Sequence, residues 1–268
     1  MQKPLAYLIL GTPGSGRREV IADLIAESFV KEDNICCMLS DKEAASEHDA
    51  RLGSVSDLVR WTFTAEKQIE AVLPEGTQKF FFITEGRSNP IDQIEAFRGW
   101  ILANNVELGR IITIVDSGLA HSTPATLAWY DACIHFSDAA LMNRREGVPN
   151  KWMSDFIGRY EDLCLPCLFE LVKQGRVKNP AMILDPQARR ISLAFEDLTE
   201  DGLGNSVSSD EGGDRFGEDD EEDDDDEDGE GSESPDDGEE TPEEDPYFVR
   251  KPGGGRVRSI PDITQYLR

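Results

Sequence analysis

Leu5-Ala6-Tyr7-Leu8-Ile9-Leu10-Gly11-Thr12-Pro13-Gly14-Ser15-Gly16-Arg17-Arg18 decides the fold. The apolar run has the length of a buried strand, and from Glu19 the chain takes helical spacing, so a glycine-rich turn joins strand to helix. This is the layout of a phosphate-binding P-loop, G-x-x-x-x-G-K-[ST]. In that motif backbone N–H groups cradle phosphates, Lys reaches the outer ones and the hydroxyl binds magnesium. Both motif glycines, Gly11 and Gly16, are present, but Arg17 replaces the Lys and Arg18 the hydroxyl. An anion can still be held, because the orphan N–H groups and the helix dipole do not depend on those side chains. The alternative is an ordinary βα turn rich in Gly and Pro.

Outward from the loop, apolar runs alternate with helical patterns, which argues for a parallel sheet covered on both faces. Strands are expected at Leu5–Leu10, Asn34–Leu39, Lys79–Thr84 and Arg110–Val115, and within Ala132–Met142. Helices are expected over Arg18–Phe29, Val55–Val72, Ile91–Asn104, Pro124–Tyr130, Lys151–Ile157 and Cys167–Lys173. Ile183–Asp185 and Arg190–Phe195 read as a closing pair of strands around Asp185-Pro186-Gln187.

Charge decides where the domain stops. Of the net charge of −27, residues 210–245 hold 23 acidic residues against one basic, whereas residues 246–268 are basic. The expected organisation is a nucleotide-binding domain over 1–204, an acidic disordered linker over 205–245 and a basic docking segment over 246–268. That last segment, with Tyr247 and Phe248 among its glycines and arginines, suits docking on a protein partner or on the protein's own domain. The N-terminus enters the first strand after four residues and no apolar run approaches the ~18 residues of a membrane span, so a cytoplasmic protein without a membrane partner is expected.

Five cysteines, an odd number, read as reduced thiols rather than a disulfide framework. Cys36-Cys37 on a strand would point to opposite faces and cannot hold one ion together. Cys164-Leu165-Pro166-Cys167 has C-x-x-C spacing, but a single such pair reads as thiols packing a helix start. His135, in an apolar run, reads as a satisfied core residue. No metal-ligating residues are assigned.

Three further stretches follow in order: Phe80-Phe81-Phe82-Ile83-Thr84-Glu85-Gly86-Arg87-Ser88-Asn89-Pro90, then Ile111-Ile112-Thr113-Ile114-Val115-Asp116, then Phe136-Ser137-Asp138 running to Asn143-Arg144-Arg145-Glu146. With the glycine-rich loop they resemble the CobW/HypB/UreG family of metallochaperone-type P-loop GTPases over roughly residues 5–180, with no motif intact. The family's I-E-T-x-G-[LA]-x-[DN]-P pattern carries a Glu that supports magnesium and catalysis. Gly86, Asn89 and Pro90 match its end, Ile83 stands where its Glu would be, and Glu85 is displaced by two residues. The family's N-K-x-D motif, whose Asp reads the guanine edge, is matched by Asn143 and Glu146, with Arg144 able to stack where the Lys stem would. Asp116 and Asp138 match family aspartates and read as loop-shaping and helix-capping residues.

The resemblance implies a three-layer α/β P-loop fold with a mainly parallel sheet. It implies GTP as ligand, bound by Gly11, Thr12, Pro13, Gly14, Ser15, Gly16, Arg17 and Arg18 at its phosphates and by Asn143 and Glu146 at its base. Glu85 is the candidate catalytic residue, and magnesium lacks its usual hydroxyl. The expected activity is a weakened or lost GTP hydrolysis, in a nucleotide-dependent metallochaperone-like or regulatory protein that binds no nucleic acid. Two other readings stay open: a non-catalytic interaction protein on this scaffold, and a divergent P-loop small-molecule kinase.

Overall fold

In the computed structural model, residues 3–196 and 244–267 are described. Their centre is β1 (Leu5–Gly11), buried on both faces from Ala6 onward as its unbroken apolar run requires. Around it lie β2 (Ile35–Ser40), β3 (Asp57–Phe63), β4 (Ile69–Glu70), β5 (Lys79–Ile83), β6 (Glu107–Asp116), β7 (Ala139–Asn143) and β8 (Leu168–Leu171). The sheet order is β4-β3-β2-β5-β1-β6-β7-β8, with every pairing parallel except β3 with β4.

Strand alternation divides the core in two. Tyr7, Ile9, Cys37 and Phe81 face α1 (Arg17–Ser28), while Ala6, Leu8, Leu10, Cys36, Phe80 and Phe82 face α3 (Pro90–Ala103) and α5 (Leu127–His135). Cys36 and Cys37 thus lie on opposite faces, and both thiols are pushed up to about 12 by burial. The shorter helices are α2 (Asp49–Gly53), α4 (Ser117–Ser122) and α7 (Pro180–Leu184), with α6 (Asn150–Glu161) adding Met153 and Phe156 to the α3/α5 face. Asp116 caps α4 through Leu119 N–H at 2.9 Å, and buried Asp138 accepts from Ile111 N–H at 2.7 Å and Arg189 N–H at 2.6 Å.

Three stretches differ from the sequence expectation. Val55–Val72 forms no helix: β3 buries Trp61 and Phe63 two residues apart, a strand period, and turns back through Lys67 at φ +60° into β4. Trp61 explains the choice, since its indole N–H donates to the Ile83 carbonyl at 3.1 Å and its ring lies 4.4 Å from that of Phe82. Cys167–Lys173 holds β8, which extends the sheet beside β7, so Cys167 precedes a strand and Cys164 is exposed. Ile183 and Leu184 end α7 with Asp185 as its C-cap, and no strand forms over 190–195. Arg110, buried within β6, donates to the carbonyls of Met182 at 2.9 Å and Gln187 at 3.1 Å, and Tyr7 Oη donates to that of Leu184 at 2.8 Å. The Leu184 carbonyl, and that of Ile183 at 3.4 Å from Arg110, are thus engaged by side chains of the sheet rather than by a partner strand.

The acidic run lies outside the described residues up to 243. From Glu244 the chain packs on the α3/α5 face. Asp245 accepts from Ser192 Oγ at 2.5 Å and lies 2.9 Å from His135 Nε2, Phe248 stacks on Phe136 at 5.2 Å, and Ile263 is fully buried. Arg256 donates to Asp92 at 2.8 Å and to Glu95 at 2.6 Å. His135 is accordingly satisfied, by a carboxylate from the far end of the chain. No helix among the described residues is long and apolar enough to cross a membrane.

Candidate functional site

Parallel register brings the carboxyl ends of four strands together: Ile9 pairs with Ile83, Gly11 with Ile114, and Asp116 with Asn143. Ligands of open α/β sheets bind at this edge. The turn from β1 into α1 occupies it. Gly14 at φ +84° and Gly16 at φ +88° take the left-handed conformation, with Gly16 as the N-cap of α1. A Cβ on Gly14 would meet nothing within 4 Å, whereas one on Gly16 would overlap the Asn143 amide.

The end of β7 holds this loop. Asn143 donates its side-chain N–H to the Ser15 carbonyl at 2.8 Å, and Arg144 donates Nε–H to that of Gly14 at 3.2 Å while its guanidinium lies 3.3 Å from Glu19. On another side, Thr12 Oγ1 and Tyr130 Oη lie 3.0 Å apart, and Tyr130 Oη also accepts from Asp116 N–H at 3.2 Å. Ser15 Oγ is buried and makes no hydrogen bond. Burial raises the Asp116 carboxyl above its ordinary value, with the N–H of Leu119 and the charge of Arg144 opposing.

Both arginines of the motif are engaged by the chain itself. Arg17 donates to the Thr84 carbonyl and to Glu43, with the Glu85 carbonyl 3.5 Å from Nη2. Burial lowers its affinity for the proton and the Glu43 carboxylate acts against that. Arg18 donates to Glu43 at 2.5 Å, to Asp49 at 2.6 Å and to the Ala44 carbonyl at 3.0 Å. One carboxylate, Glu43, thus bridges the two guanidinium groups that follow the loop. Nothing in the sequence marks Glu43 or Asp49, which are ordinary acids in a loop and a short helix.

Glu85 is 4 % exposed and just beyond β5. One of its oxygens accepts from both the hydroxyl and the N–H of Ser88, while Oε2 makes no hydrogen bond and has Lys42 Nζ at 3.4 Å. Gly86, at φ +72°, lies so close to the Gly11 carbonyl that any Cβ there would overlap it. Arg87 is exposed and has no ionic partner among the described residues.

Two cavities adjoin the loop and a third lies beside Glu85. One of about 290 Å³ is lined by Gly14, Gly16, Arg17, Glu43, Arg87 and Arg144. A second, of about 530 Å³, lies on the other side of Pro13 and Gly14, between Asp116, Arg144, Glu146 and Tyr266. The third, of about 590 Å³, includes Lys42, Glu85 and Arg87 with Trp129 and Ile260. The structure therefore brings residues 11–18, Glu85, Asn143 and Glu146 to one sheet edge, and adds Glu43, Lys42, Arg87 and Tyr266.

No protein-family profile matches the sequence, and no curated protein sequence matches it. Solved structures with a similar chain path include a zinc-bound triple mutant of the YjiA GTPase, at TM-score 0.43 and 13 % identity over 73 % of this chain and 69 % of that one. Zinc-bound YjiA GTPase from E. coli gives 0.41 and 12 % over 74 % and 70 %. The signal recognition particle receptor FtsY from Elizabethkingia anophelis with GDP gives 0.44 and 12 % over 69 % and 64 %. These are similarities of backbone alone.

Magnesium fits this donor set poorly. A hard cation needs oxygen ligands, and here the guanidinium of Arg18 stands at the sequence position of the usual hydroxyl while Thr12 Oγ1 is taken by Tyr130. Among the described residues no group of three or more His, Cys, Asp or Glu could hold a metal ion.

Proposed function

We propose that the protein binds a guanine nucleotide at Gly11–Arg18, hydrolyses it weakly or not at all, and acts as a nucleotide-dependent metallochaperone-like or regulatory protein. The observation that best supports nucleotide binding is the loop's conformation at the sheet edge. Two left-handed glycines open the head of α1 onto a cavity, and a buried Ser15 hydroxyl beside them makes no hydrogen bond. A helix N-terminus of this shape attracts phosphate through backbone N–H groups and dipole together. The guanine preference rests on the Asn143-Arg144-Arg145-Glu146 pattern, in which Asn143 would hold the loop in shape and Glu146 would accept from the base edge.

Slow or absent hydrolysis follows from charge. The equatorial oxygens of the transferred phosphoryl group and the leaving oxygen need positive charge that is free to follow their developing negative charge, yet Arg17 and Arg18 are neutralised by Glu43 and Asp49. Glu85 would be left to orient water, with Lys42 at 3.4 Å and Arg87 lining the same cavity.

Calorimetric titration with GTP, GDP and ATP, with and without magnesium, tests this reading. Guanine nucleotides should bind in preference to ATP, and magnesium should change their affinity little. An absence of heat with all three nucleotides would overturn it. The cavity at Glu85, which shares Lys42 and Arg87 with the loop cavity, favours one alternative, a small-molecule kinase with an acceptor beside the outer phosphate. Tighter binding of ATP than GTP would select that alternative.

A further inference from the structure

The cavity between Pro13, Gly14, Asp116, Arg144 and Glu146 is completed by two residues from the far end of the chain, Tyr266 and Leu267. This wall is firmly held. Ile263, fully buried, anchors a single helical turn, Thr264–Tyr266, in which Asp262 accepts from Thr264 N–H at 2.9 Å and from its hydroxyl at 2.6 Å. Tyr266 N–H closes the turn on the Ile263 carbonyl at 2.9 Å. Upstream, Phe248 on Phe136 and Arg256 on Asp92 and Glu95 fix the same segment to α3 and α5. The ring so placed is 37 % exposed, although its neighbour Ile263 is wholly covered.

A planar aromatic side chain on an ordered turn, facing a cavity that adjoins a phosphate loop, is suited to a nucleobase. Bases stack on Tyr faces with little regard to sequence or edge chemistry, and a ring fixed in advance loses little entropy on binding. Arg144 lines the same cavity from the end of β7, and its guanidinium plane can take the opposite face of the base. Glu146 in the same cavity supplies the acceptor for the base edge.

We propose that Tyr266 is a base-stacking residue of the nucleotide site, so that the C-terminal segment completes that site in the same molecule. This rests on the nucleotide-binding reading above and extends it to the nucleoside end. The phosphates are held by the head of α1, the base by Tyr266, Arg144 and Glu146, and the segment 244–267 becomes part of ligand recognition.

Parallel titrations of the full chain and of Tyr266→Ala and Tyr266→Phe with GDP and with inorganic tripolyphosphate test it. Tyr266→Ala should weaken GDP about tenfold and leave tripolyphosphate unchanged, because only GDP carries a base. Tyr266→Phe should stay within about twofold of wild type for both, since it keeps the ring. Unaltered thermal unfolding of both variants would show that the segment remains docked. Equal GDP affinity in wild type and Tyr266→Ala would overturn the stacking role while leaving the phosphate loop standing. Equal losses for GDP and tripolyphosphate would also overturn it, because the ring would then act on the loop rather than on a base. Failure of the wild-type chain to bind either ligand would overturn both this role and the nucleotide reading.

Discussion

Glu43 and Arg17 form an ion pair that is almost entirely dry, with 11 % and 4 % of their side chains exposed. The same carboxylate also reaches Arg18 at 2.5 Å. A carboxylate bound to two guanidinium groups at the head of a helix occupies the electrostatic role that a phosphate would take. Glu43→Ala should therefore tighten binding of GDP and tripolyphosphate by roughly tenfold, measured calorimetrically. The unliganded variant should lose on the order of 3 kcal/mol, because Arg17 is left buried without its partner. Unchanged affinity in a folded Glu43→Ala protein would show that the arginines take no part in binding.

Gly16→Val should abolish nucleotide binding. The residue adopts φ +88° and a Cβ would press on the Asn143 amide that holds Ser15, so both the turn and its clamp are disturbed. Binding retained at wild-type strength would remove the P-loop assignment.

Asn143→Ala tests the clamp alone. Its side-chain N–H to the Ser15 carbonyl is the bond lost, and a buried acceptor left unpaired costs about 1–3 kcal/mol. Thermal unfolding should fall accordingly, and GDP affinity should fall with it as the loop loosens. A stability loss with no change in affinity would separate fold maintenance from ligand binding.

Acid should release the C-terminal segment. Burial raises the carboxyls of Asp245 and Asp92, but hydrogen bonds from His135 and Ser192 to the first, and from Lys67 and Arg256 to the second, leave both below the ordinary value. For a depressed carboxyl the stabilisation is complete above the unfolded value and is lost as pH falls through the folded one. Docking should thus hold at neutral pH and weaken below about pH 4. Limited proteolysis at stepped pH would read the release as cleavage near Tyr247. Resistance that persists at pH 2 would show that apolar contacts suffice.

Phe248→Ala separates those apolar contacts from the charges. Truncating a buried ring stacked on Phe136 should cost about 3 kcal/mol and expose the segment to protease at neutral pH. Protease resistance equal to wild type would mean that Ile263, Tyr247 and the ionic contacts of Arg256 and Asp245 hold the segment without Phe248.

The sequence carried the sheet because its central strands are buried on both faces and therefore read as unbroken apolar runs. The loop was legible because Gly11, Gly14 and Gly16 punctuate it. Val55–Val72 misled because its apolar residues also satisfy helical spacing, and only the fit of Trp61 against Phe82 and the Ile83 carbonyl selects a strand. Cys167–Lys173 misled similarly, since the open edge of β7 decides its pairing. At the site, Glu43 and Asp49 carry no local pattern, and their role exists only once α1 is folded against them. Tyr266 lies beyond a long acidic stretch, so nothing in its own neighbourhood connects it with Gly14.

Gly86 rests on the carbonyl of Gly11, with Pro13 Cδ and Arg17 Nη1 within 3.0 Å and 3.2 Å of where a Cβ would sit. Such a contact leaves no slack between the turn after β1 and the turn after β5. Any side chain at position 86 would have to displace the Gly11 carbonyl, so the backbone of the first turn restricts which residue the second can carry.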